Sequence, residues 1–161
     1  MGASRKIPVV LLADDDADDR LLTRDAFAQS GLQCELRTVS DGVELFDYLL
    51  RRGEHAAPAV SPEPALILLD LNMPRMDGRE ALVRLRADKT LRYIPVIVLT
   101  TSKSDDDILG SYAAGSNSFI TKPVTFAGLV EAMRAFGHYW FDVVELPPGS
   151  PEESIPRAHR S

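Results

Sequence analysis

Cysteine is almost missing from this chain: Cys34 is the single one in 161 residues. That excludes an intramolecular disulfide framework and any zinc centre built on paired cysteines, and it suits a reducing, cytoplasmic setting. Cys34 borders a predicted strand and reads as a buried, inert thiol. Long apolar runs are also missing, since nothing approaches the ~20 residues that cross a bilayer. The opening MGASRKIPVVLLADDD runs from a short apolar stretch straight into carboxylates, too soon for a secretory signal. A cationic surplus is absent too. With 18 Lys and Arg against 24 Asp and Glu the formal charge is −6, the wrong sign for gripping a nucleic-acid backbone. No GxxxxGK or GxGxxG follows a strand, which removes the common nucleotide cradles. His55, His138 and His159 are scattered and suggest no metal cluster. Neither nucleic acid nor a membrane is the expected partner.

What is present is ordinary globular material, 45% hydrophobic and 26% charged, enough for one core. Short aliphatic runs alternate with longer amphipathic stretches, the pattern of a parallel sheet covered by helices on both faces. The predicted strands are Val9 to Ala13, Glu35 to Val39, Ala65 to Asp70, Pro95 to Leu99 and Ser118 to Thr121. The predicted helices lie near Ala17 to Gln29, Gly42 to Arg52, Gly78 to Ala87, Asp105 to Ala113 and Phe126 to Leu146. Runs one, three and four (VVLLA, ALILL, PVIVL) are apolar throughout, as central strands require, whereas ELRTV alternates like an edge. The fold class is therefore α/β, a doubly wound five-stranded parallel sheet of order 2-1-3-4-5 with five helices. Ligands in such sheets bind at the carboxyl ends of the strands, near the switch between strands 1 and 3. One domain is expected over residues 1–146, with an insert loop at 53–64 that carries three prolines. A disordered tail is expected over 147–161.

Chemistry collects at those strand ends. Asp14, Asp15 and Asp16 follow strand 1, and Asp16 or Asp18 can cap helix 1 while Asp18 and Asp19 favour its positive end. Capping does not account for Asp14 and Asp15, because Asp70 arrives at the matching end of strand 3. Three converging carboxylates repel one another unless a cation sits among them, and such hard oxygen ligands suit Mg²⁺. Strand 4 ends in Thr100 and strand 5 in Lys122, adding a hydroxyl and a fixed positive charge. Alone, Thr100 would be a turn residue and Lys122 a solvated lysine. Together the four strand ends match a phosphoryl group.

The set Asp14-Asp15, Asp70, Thr100 and Lys122-Pro123, with the loop LDLNMPRMDG at 69–78, resembles the response-regulator receiver family of two-component signalling. The resemblance spans about Val9 to Leu146. It implies that Asp70 is a phosphoacceptor nucleophile, that Asp15 and Asp70 ligate the metal, and that the Asn72 backbone carbonyl supplies a third oxygen. Asp14 would act directly or through water. It further implies that Lys122 pairs with a phosphoryl oxygen, that Thr100 donates to another, and that the Lys122-Pro123 bond is cis. A Thr100/Phe119 switch would then reshape the face of helix 4, strand 5 and helix 5. Phosphorylation would be self-modification, not enzymatic turnover, with Asn72 and Ser102 tuning the lifetime of the product.

LTTSKSDDDI and FGHYWFDVVELP resemble stand-alone regulators paired with phytochrome-type histidine kinases. A continuous final helix of about 22 residues would reach about 33 Å. Its distal Phe136, Tyr139, Trp140, Phe141, Val143 and Val144 suggest a homodimer surface, the alternative being a helix that folds back on its own domain. Output would be protein contact, dimer rearrangement or a phosphorelay shuttle. A phosphohydrolase of the haloacid-dehalogenase type shares the aspartyl nucleophile and Mg²⁺, but places its nucleophile after strand 1. A degenerate receiver would lack one of the phosphorylation residues, and none is missing.

Overall fold

The computed structural model describes residues 7–58 and 61–148. Five parallel strands, β1 (Val9–Ala13), β2 (Glu35–Val39), β3 (Leu66–Leu69), β4 (Val96–Thr100) and β5 (Ser118–Thr121), form one sheet in the order β2-β1-β3-β4-β5. Five α-helices connect or follow them: α1 (Ala17–Ser30), α2 (Gly42–Leu49), α3 (Gly78–Ala87), α4 (Asp105–Ala114) and α5 (Phe126–Gly137). The three apolar runs are the three central strands, and every residue of β1, β3 and β4 is buried. Period-two alternation sends Leu11, Ala13, Ile67 and Leu69 to one face, against Leu45, Phe46, Leu82 and Leu85 of α2 and α3. Val10, Leu12, Leu68, Ile97 and Leu99 face the other way, against Phe27 of α1 and Leu129, Val130, Met133 and Phe136 of α5.

Local chemistry starts each helix. Asp16, Asp41, Asp77, Ser104 and Thr125 stand at the N-caps of α1 to α5, each accepting from a backbone N–H of the first turn. The capping choice left open for α1 thus falls on Asp16, with Asp18 and Asp19 in the first turn. Besides one-residue shifts at the ends of β3, β4, α1 and α4, two helix ends and the insert differ from expectation. α2 stops at Leu49, short of Arg52, because Arg51 turns into the left-handed region at φ 55°. The described residues of the 53–64 insert are more ordered than a plain loop. It holds a 3₁₀ turn at Gly53–His55, and the buried Ser61 hydroxyl donates to His55 O at 2.6 Å.

The largest difference is at the end of the last helix. α5 stops at Gly137, and His138–Val143 continue as a π-helix, with Val144 N donating to Tyr139 O at 3.0 Å. Phe136 and Phe141 are five residues apart, a spacing that one π turn brings onto the same side, and their rings meet edge-on at 6.0 Å. Trp140, Phe141 and Leu146 consequently pack on the chain's own core. Phe136 is buried within that core and is not available as a dimer contact, while Tyr139 and Val143 remain exposed. The expected tail over 147–161 falls outside the described residues from 149 onward; Pro147 and Pro148 are exposed and carry no regular structure.

Candidate functional site

The carboxyl ends of the central strands gather the titratable groups, as the topology requires. Asp14 follows β1, fully buried, with Asp15 next to it and exposed; Asp70 follows β3 and is buried. One carboxylate oxygen from each of Asp14, Asp15 and Asp70 lies within 4.8 Å of the others. The backbone that carries them is tied across the sheet, with Asp14 N donating to Val39 O at 3.1 Å and Asp70 N to Ala13 O at 3.0 Å. Asn72 N donates to Asp70 Oδ1 at 3.3 Å, a local turn at the start of the loop after β3.

Lys122 reaches into this cluster from the end of β5. Its Nζ lies 2.7 Å from Asp14 Oδ2, 3.4 Å from Asp19 Oδ2 and 3.6 Å from Asp70 Oδ2. Burial works against its charge, but the hydrogen bond and charge of Asp14, then Asp70 and Asp19, outweigh it and raise its pKa. For Asp70 the balance falls the other way. Burial raises the carboxyl, Asp14 adds to the rise, and the opposing pull of Lys122, the Asn72 amide and the Thr100 hydroxyl does not cancel it. A buried carboxyl pushed up by burial and by a neighbouring acid is the electrostatic situation a divalent cation relieves. The donor set of three carboxylates has the hard character Mg²⁺ and Mn²⁺ select. The residues fit the ion.

Thr100 is the last residue of β4 and fully buried, and its carbonyl accepts from Lys122 N at 2.7 Å. β4 and β5 pair Val98 with Phe119 and Thr100 with Thr121. Thr100 and the half-buried Phe119 therefore share one face of the sheet on adjacent strands. Ser102 donates to Asp107 Oδ2 at 2.6 Å, and Arg79 holds the other oxygen of Asp107 at 2.7 Å. One expectation is corrected: all peptide bonds among the described residues are trans, the Lys122-Pro123 bond included. Only about 0.5–1 kcal/mol separates the isomers of an X-Pro bond, so the dipeptide alone does not set which one a fold holds.

Two features escaped the sequence reading. Asp19, in the first turn of α1, is a further acid on Lys122. Asp41, to which the sequence assigned no role, forms a bidentate pair with Arg75 in the loop after β3, 34 residues away, at 2.7 and 3.0 Å.

A doubly wound sheet whose switch point presents buried carboxylates, a hydroxyl and a lysine, with no nucleotide cradle, defines a signalling receiver. The chain belongs to the response regulator receiver domain family, whose sequence profile matches residues 10–134. It is 37% identical over 139 residues to response regulator Rcp1 of Synechocystis sp., covering 86% of this chain and 92% of that one. The Mn²⁺-bound form of Rcp1 superimposes with a TM-score of 0.77 at 36% identity, covering 88% of this chain and 99% of that one. Response regulator RPA3017, in red light signaling of R. palustris, gives a TM-score of 0.84 at 42% identity, over 88% of this chain and 99% of that one. The phosphorylated cyanobacterial phytochrome response regulator RcpA gives 0.81 at 38% identity, over 89% of this chain and all (100%) of that one. No helix among the described residues is long and apolar enough to cross a membrane.

Proposed function

We propose that this receiver accepts a phosphoryl group on the Asp70 carboxylate from a phosphohistidine of a phytochrome-type histidine kinase. One observation carries the reading: a buried aspartate raised in pKa by its surroundings lies 3.6 Å from a half-buried lysine, beside a three-carboxylate cluster. An Asp70 oxygen attacks phosphorus, the P–N bond to the donor imidazole breaks, and the product is an acyl phosphate. Asp14, Asp15, Asp70 and the Asn72 carbonyl would hold Mg²⁺, which would neutralise charge between the two anions. Lys122 exchanges its Asp70 contact for a phosphoryl oxygen, and Thr100 supplies a hydroxyl donor to another. Movement of Thr100 toward the phosphate frees space on the face it shares with Phe119, which links Asp70 to α4, β5 and α5. Exposed Leu21 and Leu22 on α1 and Val124, two residues after Lys122, offer apolar surface for a docking kinase.

The phytochrome assignment rests on the likeness to RcpA and RPA3017. A cytoplasmic location and a homodimer belong to the same reading, the dimer resting on exposed Tyr139 and Val143 with half-buried Trp140 and Val144 beside them. Radiolabel transfer from phytochrome-type kinases to wild type and Asp70→Asn tests the central claim. Transfer to wild type alone is the expected result, and persistent labelling of the variant refutes it. A concentration-independent monomer mass, with and without phosphorylation, refutes the dimer.

A further inference from the structure

The loop between β3 and α3 has to hold the Asn72 backbone against Asp70, yet most of it is irregular chain. Arg75, in its middle, adopts a left-handed φ of 63°, a conformation that side chains other than Gly, Asn and Asp rarely take without compensation. Its guanidinium forms the bidentate pair with Asp41, whose carboxylate is buried and already engaged as the N-cap of α2, accepting from Glu44 N at 2.8 Å. Burial of Asp41 opposes its charge, but the Arg75 hydrogen bond and the Glu44 amide overcome that and hold its carboxyl below the usual range. The next residues are clamped as well. Gly42 N donates to Met76 O at 3.1 Å, and a Cβ on Gly42 would stand 2.4 Å from that same oxygen. The start of α2 therefore lies in direct backbone contact with the loop, and the planar fork of Arg75 locks the two together at two points.

We propose that Asp41 and Arg75 form a positioning pair that holds the Asn72 backbone in register with the carboxylate cluster, so that divalent-cation affinity depends on a contact the cation never touches. This rests on the reading of Asp14, Asp15, Asp70 and the Asn72 carbonyl as a cation site. Groups that orient a ligand are worth about tenfold or more in metal affinity when removed. The pair does this from the start of the helix that follows β2.

The test is titration of Mn²⁺ into the full chain by calorimetry, for wild type, Arg75→Gly, Arg75→Lys, Asp41→Asn and the double variant Arg75→Gly/Asp41→Asn. Glycine keeps the left-handed turn and asparagine keeps the cap acceptor, so both variants stay folded, as circular dichroism melts check. Expected are a Kd raised about tenfold in each of R75G and D41N, no further loss in the double variant, and an intermediate value for R75K, which keeps charge without the fork. With acetyl phosphate as donor, the Mg²⁺ concentration for half-maximal phosphorylation of R75G rises while the rate at saturating Mg²⁺ is retained, a split that a merely structural role would not produce. Wild-type affinity in folded R75G and D41N overturns the positioning role while leaving the cation site standing. Losses that multiply in the double variant overturn the pairing. A wild type that binds no Mn²⁺ overturns the cation reading itself.

Discussion

Gly78 opens α3 directly behind Asp70, and replacing it with alanine separates stability from site geometry. A Cβ at Gly78 would lie 2.2 Å from the Asp70 carbonyl oxygen and 2.8 Å from Leu71 Cα. Both are backbone atoms, so the loop has to retreat by roughly 1 Å to reach ordinary contact. Gly78 N also donates to Leu71 O at 2.9 Å, and the same retreat stretches that bond. Overpacking of this kind costs about 1–3 kcal/mol, offset by up to ~1 kcal/mol from replacing glycine in a helix. A net loss of ~1–2 kcal/mol lowers Tm by about 2–8 °C for a chain of this size. The displaced atoms carry Asp70 itself, so phosphorylation by acetyl phosphate, followed on phosphate-affinity gels, falls by more than ~10-fold. Gly110, inside α4, is the control: a Cβ there meets nothing within 4 Å, so Gly110→Ala adds ~0.5–1 kcal/mol and leaves phosphorylation unchanged. Wild-type Tm and phosphorylation rate in Gly78→Ala, or equal penalties in both variants, would refute the reasoning.

Further outcomes can be measured independently. Burial pushes the Cys34 thiol up to about 11, so iodoacetamide at pH 8 labels the native chain about a hundredfold more slowly than the urea-unfolded chain. Because the folded pKa is the higher one, the associated stability is complete below about pH 9 and is lost as pH rises toward 11. Tyr48 donates to Pro62 O at 2.7 Å, and burial pushes its phenol up to about 12. Tyr48→Phe therefore costs about 1 kcal/mol, with faster hydrogen exchange confined to the 53–64 insert. Asp107→Asn weakens the grip of Arg79 and Ser102 on the exposed start of α4. It changes phosphoaspartate decay several-fold while leaving Tm near wild type, as measured by loss of radiolabel.

The sheet was legible because both faces of its centre are covered. VVLLA, ALILL and PVIVL have no solvent side to accommodate, so composition alone marks them, and only the ends of β3 and β4 moved by a residue. The site was legible for a related reason: strand ends fix where Asp14, Asp70, Thr100 and Lys122 point once the strand order is known. Pairs between distant segments were not legible. Nothing in SDG or PRMD announces that Asp41 and Arg75 meet across 34 residues, because that contact depends on how α2 is seated against the loop. The end of the last helix misled for another reason. Apolar residues continued at helical spacing, but Phe136 and Phe141 needed to face one core, and the backbone widened to a π turn to allow it.

Packing also explains why a charge placed on Asp70 would be read at α4. The strands around Asp70 are buried on both faces, whereas α4 buries only Ser111 and leaves Leu109 and Tyr112 exposed. The Ser111 and Ser116 hydroxyls are buried near its end with no hydrogen-bond partner among the described residues. What holds α4 is mainly polar: Arg79 and Ser102 on Asp107, and Arg86 on Gly115 O at 2.8 Å. Apolar burial must be undone atom by atom, but half-exposed ion pairs exchange for water at little cost. A phosphoryl group that draws Thr100 inward meets a rigid centre on one side and a helix held by exchangeable contacts on the other. In the proposed switch the displacement would therefore be taken up by α4 and the β5 edge.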